Sequence, residues 1–252
     1  MLAAIRREHI KEIVQENKSA SVVELASLFD VTDETIRRDL KALEKEGALQ
    51  RSYGGAFIRT GVDNLVKSQI RTTAYVESKK AIAQKCQPLI HNGDTVFLDN
   101  STTSFYLAKQ IKDMRITVLT NNLPIINLCA TSPSIHLISI GGDYSPEEKA
   151  FYGNIAVNTM RNYYVDKAFL SARSLSLENG ITDSTDQWTL IRRTALEHAE
   201  LVYLIADYSK FGHTSFAQLC DYDEIDGVIT DKPLDSQWHS QLERAECQLI
   251  DQ

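Results

Sequence analysis

Val31-Thr32-Asp33-Glu34-Thr35-Ile36-Arg37-Arg38-Asp39-Leu40-Lys41-Ala42-Leu43 is the stretch on which the reading of the chain turns. Thr32 is placed to cap a helix, its hydroxyl accepting from a free N–H of the first turn. Thr35 stands where a full capping box would have Glu or Gln. Ile36, Leu40 and Leu43 then recur at i, i+4 and i+7, so one face of the helix is buried. At roughly 100° per residue, Arg38, Lys41 and Lys45 fall on the opposite face and Arg37 at its edge. A short helix with a core stripe and outward arginines suits the recognition helix of a helix-turn-helix. An ordinary amphipathic surface helix has the same periodicity, so the flanking sequence has to decide.

Before it, Arg6 to Asn17 reads as a first helix, with Ile5, Ile10, Ile13 and Val14 near helical spacing. Ser21 caps a second, Val22 to Phe29, and Asp30-Val31 is a tight connection into the third. Three short helices with the last two closely joined are the helix-turn-helix arrangement. After it, Gly47 offers a C′ residue to end the helix. Leu49 to Phe57 then reads as strand, Gly54-Gly55 turn, strand, a small wing that carries Arg51 and Tyr53 towards a phosphate backbone or minor groove.

Charge is distributed to match. Residues 1–60 hold 10 Lys+Arg and 10 Asp+Glu, so the net −7 of the chain lies in residues 61–252, which hold 17 and 24. A balanced segment with arginines on one helix face is compatible with sequence-selective DNA binding by a dimer, but not with strong non-specific binding, which scales with neutralised phosphates. No run approaches the roughly 18 apolar residues of a membrane helix, and the N-terminus has no secretory h-region. The four cysteines, Cys86, Cys129, Cys220 and Cys247, are far apart and form no CxxC pair. Together these features point to a cytoplasmic protein with reduced thiols and no metal site.

Residues 58–77 lack clear periodicity and read as a linker. A helix is expected over Ser78–Ile90, after which strands and helices alternate. The strand runs are Thr95–Leu98, Ile116–Leu119, Ile135–Ile140, Ala168–Leu170, Leu201–Ala206, Val228-Ile229 and Gln248–Ile250, with helices from about Phe105, around Leu123–Ala130 and near Gln187–Ala199. This predicts an α/β domain, a mostly parallel sheet covered by helices on both faces. Expected boundaries are 1–57 for the winged helix-turn-helix, 58–77 for the linker and 78–252 for the α/β domain.

In open α/β sheets, ligands sit beyond the carboxyl ends of the strands. Four loops fall there. Asp99-Asn100-Ser101-Thr102-Thr103-Ser104 opens a helix, and its N–H groups and hydroxyls suit an anion such as phosphate, although Ser/Thr capping alone explains them too. Thr120-Asn121-Asn122 is the second. Gly141-Gly142-Asp143 permits close backbone approach. In Asp207-Tyr208-Ser209-Lys210-Phe211-Gly212, Lys210 suits a phosphate and Asp207 a sugar hydroxyl.

Thr35-Ile36-Arg37-Arg38-Asp39-Leu40, followed by Leu43, Gly47 and Gly54-Gly55-Ala56, resembles the N-terminal signature of DeoR-type bacterial transcriptional regulators, and the resemblance extends over almost the whole chain. It implies a second domain similar to sugar-phosphate isomerases that senses a phosphorylated sugar or related metabolite. The corresponding motifs are Asp99 with Ser101-Thr102-Thr103, Thr120-Asn121, Gly141-Gly142 with Gly153, Gly180-Ile181-Thr182, and Asp207 with Ser209-Lys210-Phe211. Two positions depart from the family pattern: Ser101 stands where many members have Gly, and Gln187-Trp188 where a pair of acidic residues is common before Arg192-Arg193.

An isomerase would need a general base at the reacting carbon. Asp99, Asp143, Asp183 and Asp207 are available, but His136 lies in a strand, and His198 and His213 form no acid–base constellation. There is no nucleophile motif, nucleotide fingerprint or metal-ligand spacing. The expectation is therefore a non-enzymatic regulator, a repressor of a carbohydrate-utilisation operon; the rival readings are a sugar-phosphate isomerase and a DNA-binding scaffold whose second domain only oligomerises. Its DNA contacts would be Thr35, Arg37, Arg38, Lys41, Arg51 and Tyr53. Its effector contacts would be Asp99, Ser101, Thr102, Thr103, Asn121, Gly141, Gly142, Asp207 and Lys210. No resident cofactor is expected; the partners are double-stranded operator DNA, a phosphorylated sugar or sugar alcohol, and further copies of the chain in a homodimer or homotetramer.

Overall fold

The computed structural model describes residues 3–17, 19–46, 48–52, 55–57 and 75–252, and its contacts divide the chain into two units, Met1–Val76 and Glu77–Gln252. The first unit runs α1 (Ala3–Asn17), β1 (Ser19–Ser21), α2 (Val22–Phe29), α3 (Asp33–Lys45), β2 (Gln50–Ser52) and β3 (Gly55–Phe57). Ser21 ends β1 and caps α2 through a full capping box. Its Oγ accepts from Glu24 N at 3.1 Å, and its own N–H donates to Glu24 Oε2 at 3.1 Å. Asp30 takes φ 50°, a left-handed C-cap that turns the chain into α3. Thr32 caps α3 as expected, accepting from Thr35 N at 3.4 Å.

Ile10 and Val14 of α1 pack with Val22, Leu25, Ile36, Leu40 and Leu43 in one core. Ile5 does not join them and is 49% exposed. The wing is wider than the sequence suggested, an antiparallel sheet in the order β1-β3-β2. Gly47, Tyr53 and Gly54 lie outside the described residues.

In the second unit, α4 (Val76–Cys86) starts two residues earlier than expected and ends sooner, giving way to a 3₁₀ turn at Gln87–Leu89. Pro88 has no N–H to continue the α-helical ladder. The strands β4 (Thr95–Leu98), β5 (Ile116–Thr120), β6 (Ile135–Ser139), β9 (Val165–Leu170), β12 (Ala199–Ile205), β14 (Gly227–Ile229) and β15 (Gln248–Ile250) form a seven-stranded sheet, order β15-β14-β12-β9-β4-β5-β6. Every pairing in it is parallel. These are the strand runs read from the sequence.

The strands alternate faces with period two. Val96, Leu98 and Val118 face one apolar cluster with Ile82 and Leu107, while Phe97, Leu119 and Ala168 face another with Met160 and Ile191. Phe97 and Phe169 are fully buried, each contributing about 2–3 kcal/mol of transfer free energy. The helices are α5 (Thr102–Ile111), α6 (Leu123–Cys129), α7 (Gly153–Met160), α8 (Asp186–Glu197) and α9 (Ser236–Arg244).

Two small antiparallel sheets were not anticipated: the hairpin β7 (Asp143–Ser145)–β8 (Ala150–Tyr152), and a three-stranded sheet of β10 (Ser174–Ser176), β11 (Gly180–Asp183) and β13 (Ala217–Cys220). Their strands are three or four residues long, too short to establish an alternation in sequence.

The strand order has a consequence for function. From β4 the chain builds outward to β5 and β6, then returns to place β9, β12, β14 and β15 on the other side. The topological switch point lies between β4 and β9, where such sheets open a crevice at their carboxyl ends.

Candidate functional site

On α3 the expected DNA-facing side chains divide by exposure. Arg38 and Lys41 are exposed and Arg37 is half-buried. Thr35 is half-buried too, and its hydroxyl lies 3.0 Å from that of Thr32, so it supports the cap as well as facing outward. Arg51 is in β2, its backbone paired with Ala56 of β3; Tyr53 lies outside the described residues.

Sequence reasoning passed over the residue beside Arg38. Asp39 is 2% exposed, and its Oδ2 accepts from Arg6 Nε at 2.7 Å. Arg7 Nε is 3.3 Å from Oδ1 but makes no hydrogen bond there. The signal was present: Asp39 is three residues from Ile36 and four from Leu43, inside the buried stripe.

In the second unit, the loops expected to carry a ligand follow β4, β5, β6 and β12 and so share the carboxyl edge of the sheet. At the switch point Asp99 is 1% exposed. Its Oδ1 accepts from Ser101 N at 3.0 Å and Ser104 Oγ at 2.6 Å. Its Oδ2 accepts from Ser171 N at 2.9 Å, Ser171 Oγ at 2.7 Å and Arg192 Nε at 2.8 Å. Burial alone would raise its pKa, but the Arg192 charge and the hydrogen bonds from Ser104, Ser171 and Arg192 outweigh that and hold it at about 2. The guanidinium of Arg192 extends further, donating to Asp183 Oδ2 and to Asn100 Oδ1, the latter at 2.8 Å. This one side chain of α8 thus joins the loops after β4 and β9 to the end of β11.

Asp99 is therefore saturated by protein donors. Ser101 is equally committed: its Oγ accepts from Ser104 N at 2.9 Å and donates to Ser104 Oγ at 2.9 Å, the capping role that competed with anion binding in the sequence. Thr102 and Thr103 form the first turn of α5, which starts three residues before the expected Phe105; Thr102 is half-buried and Thr103 buried.

Asn121 differs. It is fully buried, and Nδ2 donates to Phe151 O at 2.8 Å. Because only the NH₂ can donate to that carbonyl, the amide orientation follows. Its Oδ1 is buried and has no hydrogen-bond partner, an exception to the rule that buried polar groups are paired. Asn122 Nδ2 reaches Ser101 O at 3.4 Å, tying this loop to the first.

Gly142 adopts φ +139°, and a Cβ there would lie 2.4 Å from Tyr152 O, so β8 is brought in by the absence of a side chain. Gly141 has nothing within 4 Å of such a Cβ. Trp188 is 8% exposed and meets Tyr152 edge-on, ring centroids 5.3 Å apart, while Gln187 is exposed. Asp207 caps the turn Tyr208–Lys210 by accepting from Ser209 N at 3.0 Å, and Lys210 is half-buried. This loop follows β12, with β9 between it and the Asp99 loop.

Asn100 and Ser104, read as part of the first loop, and Asp183, read as an available carboxylate, were not among the expected effector contacts; Ser171 and the inward role of Arg192 were missed altogether. The last was detectable: Arg192 lies four residues after Trp188 and three before Ala195, on the apolar face of α8.

Comparison with known proteins decides the lineage. Residues 6–61 match the model of the DeoR-like helix-turn-helix domain and residues 74–232 that of the DeoR C terminal sensor domain. The chain belongs to the DeoR family of transcriptional regulators. As a DeoR-family protein it is 37% identical over 235 residues to the HTH-type transcriptional regulator YulB of Bacillus subtilis, covering 93% of this chain and 91% of that one. It is 31% identical over 241 residues to the HTH-type transcriptional repressor GlcR of the same organism, covering 96% and 93%. These relatives are regulators rather than enzymes. Ribose 5-phosphate isomerase A from Neisseria gonorrhoeae aligns at TM-score 0.40 and 12% identity over 54% of this chain and 53% of that one. No helix among the described residues is long and apolar enough to cross a membrane.

Proposed function

We propose that this DeoR-family regulator represses a carbohydrate-utilisation operon and is released by a phosphorylated sugar or sugar alcohol bound at the carboxyl edge of the sensor sheet. Residues 1–57 would read operator DNA, 58–77 link, and 78–252 bind the effector and oligomerise as a dimer or tetramer in the cytoplasm. The observation that carries the effector reading is Asn121. A fully buried carboxamide oxygen without a partner just beyond the carboxyl end of β5, next to the edge strand β6, asks for a donor, and a sugar hydroxyl is one.

Beside it, Thr102 and Thr103 bring the first turn of α5 for a phosphate and Gly141-Gly142 allows close backbone approach, while Lys210, on the loop after β12 further along the same edge, is the candidate cation. Asp99 and Ser101 hold this arrangement from behind. On the DNA side Arg38 and Lys41 are the leading contacts, with Thr35, Arg37, Arg51 and Tyr53 beside them. The effector must favour one state of the protein over the other, since equal affinity for both regulates nothing. GlcR is a repressor by name, which supports the sign of the response.

The test is a thermal-shift screen of the full chain against phosphorylated sugars and sugar alcohols, followed by mobility shift on a duplex enriched by the protein from a random-sequence pool. One compound should raise the unfolding temperature and lower DNA affinity, and Asn121→Ala should abolish the shift while sparing DNA binding. No shift with any phosphorylated polyol, or an unchanged shift in Asn121→Ala, overturns the effector site.

A further inference from the structure

We infer that the buried Arg6–Asp39 pair is a positioning device that sets the rotation of α3, and thereby where Arg38 points, for selective reading of DNA. The inference rests on the reading of α3 as the DNA-facing helix. Asp39 is adjacent to Arg38 in the chain, yet Arg38 is exposed while Asp39 is 2% exposed. Its carboxylate faces α1, where Arg6 is itself only 5% exposed and donates through Nε at 2.7 Å. Arg7 stands on the other oxygen at 3.3 Å without hydrogen-bond geometry, its side chain 35% exposed. Arg6 is thus the directional partner and Arg7 a nearby charge.

A buried ion pair is a poor choice for stability alone, because apolar residues of similar volume usually serve as well or better. What it adds is direction. The α1–α3 contact is otherwise made by Ile10 and Val14 against Ile36, Leu40 and Leu43, and apolar contact is non-directional. A charge-assisted hydrogen bond to a planar guanidinium has a narrow range of length and angle. With side chains the helix radius is about 6 Å, so a rotation of roughly 20° moves a side-chain head by about 2 Å. That displacement exceeds the tolerance of a hydrogen bond to a base edge. Contacts to phosphate from flexible cations survive it far better, so loss of the pair should cost selectivity before it costs general affinity.

The test uses the full chain and two duplexes of equal length, one enriched by the wild-type protein from a random pool and one scrambled. In the double variant Arg6→Met/Asp39→Leu, the DNA-binding unit should unfold at or above the wild-type temperature. Affinity for the scrambled duplex should stay within about twofold, and affinity for the enriched duplex should fall at least about tenfold. A folded double variant with the wild-type ratio of affinities overturns the inference, as does an equal loss on both duplexes, which would mark a merely structural pair. Should the double variant fail to fold, Arg6→Lys decides: it keeps the charge but exchanges the planar fork for a flexible ammonium. A ratio lowered at least about threefold supports positioning, and a wild-type ratio overturns it. Arg38→Ala separates the two readings. If it leaves affinity for the enriched duplex unchanged, α3 is not the reader, and the failure belongs to that assignment rather than to the pair.

Discussion

Arg192 Nε lies 2.8 Å from Asp99 Oδ2, with the two side chains 4% and 1% exposed. The pair spans the switch point of the parallel sheet, since Asp99 follows β4 and shares its second oxygen with Ser171, which follows β9. A polar cluster at the point where an α/β sheet opens is a natural place to look for ligand contacts. Here it is closed upon itself, both Asp99 oxygens being occupied by protein donors, and it ties the loops after β4 and β9 together.

Replacing Arg192 by Met should therefore destabilise the sensor unit by about 3–5 kcal/mol, because two buried carboxylates, Asp99 and Asp183, lose their counter-charge. Arg193→Met is the control. Arg193 Nε donates at 2.7 Å to the carbonyl of Leu219, and its loss should cost about 1 kcal/mol. Denaturant unfolding of both variants measures the difference, and equal losses would contradict the central role of Arg192.

Asp99 also predicts a pH dependence. Its value in the folded protein, about 2, lies below the 3.8 of a free side chain. The contribution is complete above about pH 4 and disappears as pH falls from there through about 2, amounting to about 2 kcal/mol. Sensor-unit stability measured by urea unfolding should thus decline below pH 4. A profile flat from pH 5 to 2 would show that Asp99 gains nothing from its surroundings.

Two glycines separate space from conformation. Gly142→Ala must adopt φ +139° and place a methyl 2.4 Å from Tyr152 O, so it should cost at least about 3 kcal/mol and displace β8. Gly212→Ala keeps φ +76° but meets nothing within 4 Å, so about 1–2 kcal/mol is expected from the backbone alone. Thermal unfolding of the two variants checks the order.

The four thiols should be inert in the native protein. Cys86, Cys129, Cys220 and Cys247 are all at most 5% exposed. Burial raises Cys129 to about 11 and Cys220 and Cys247 to about 12, and pushes Cys86 up as well, leaving little thiolate at neutral pH. A thiol reagent should label them only after denaturant is added, and rapid labelling of the folded protein would contradict this arrangement.

Much of the architecture was legible because its signals are local. Thr32 and Ser21 announce helix starts, and seven apolar runs announce a parallel sheet. What escaped was of two kinds. Strands of three or four residues such as β7, β10 and β13 cannot display a period. The polar partnerships, Arg6 with Asp39 and Arg192 with Asp99, join residues 33 and 93 apart, and nothing in a one-dimensional pattern pairs them. The position of each member was nevertheless readable, since both Asp39 and Arg192 fall on the apolar face of their helix, and a charge there demands a partner. The Ser101 hydroxyl shows the opposite limit: residue type admitted capping or anion binding, and only its distance to Ser104 selects capping.

The order of β4 among its neighbours also matters while the chain is being made. A nascent chain extended to Gly141 already holds β4, β5 and β6, three adjacent strands of the sheet, yet Asp99 still lacks its donors Ser171 and Arg192. The half-sheet can assemble first, but the carboxylate at the end of β4, then an edge strand, gains its full set of donors only after some fifty further residues, counting from Gly141 to Arg192. The helix-turn-helix unit precedes all of this in the chain, so its helices are complete before the sensor domain can close.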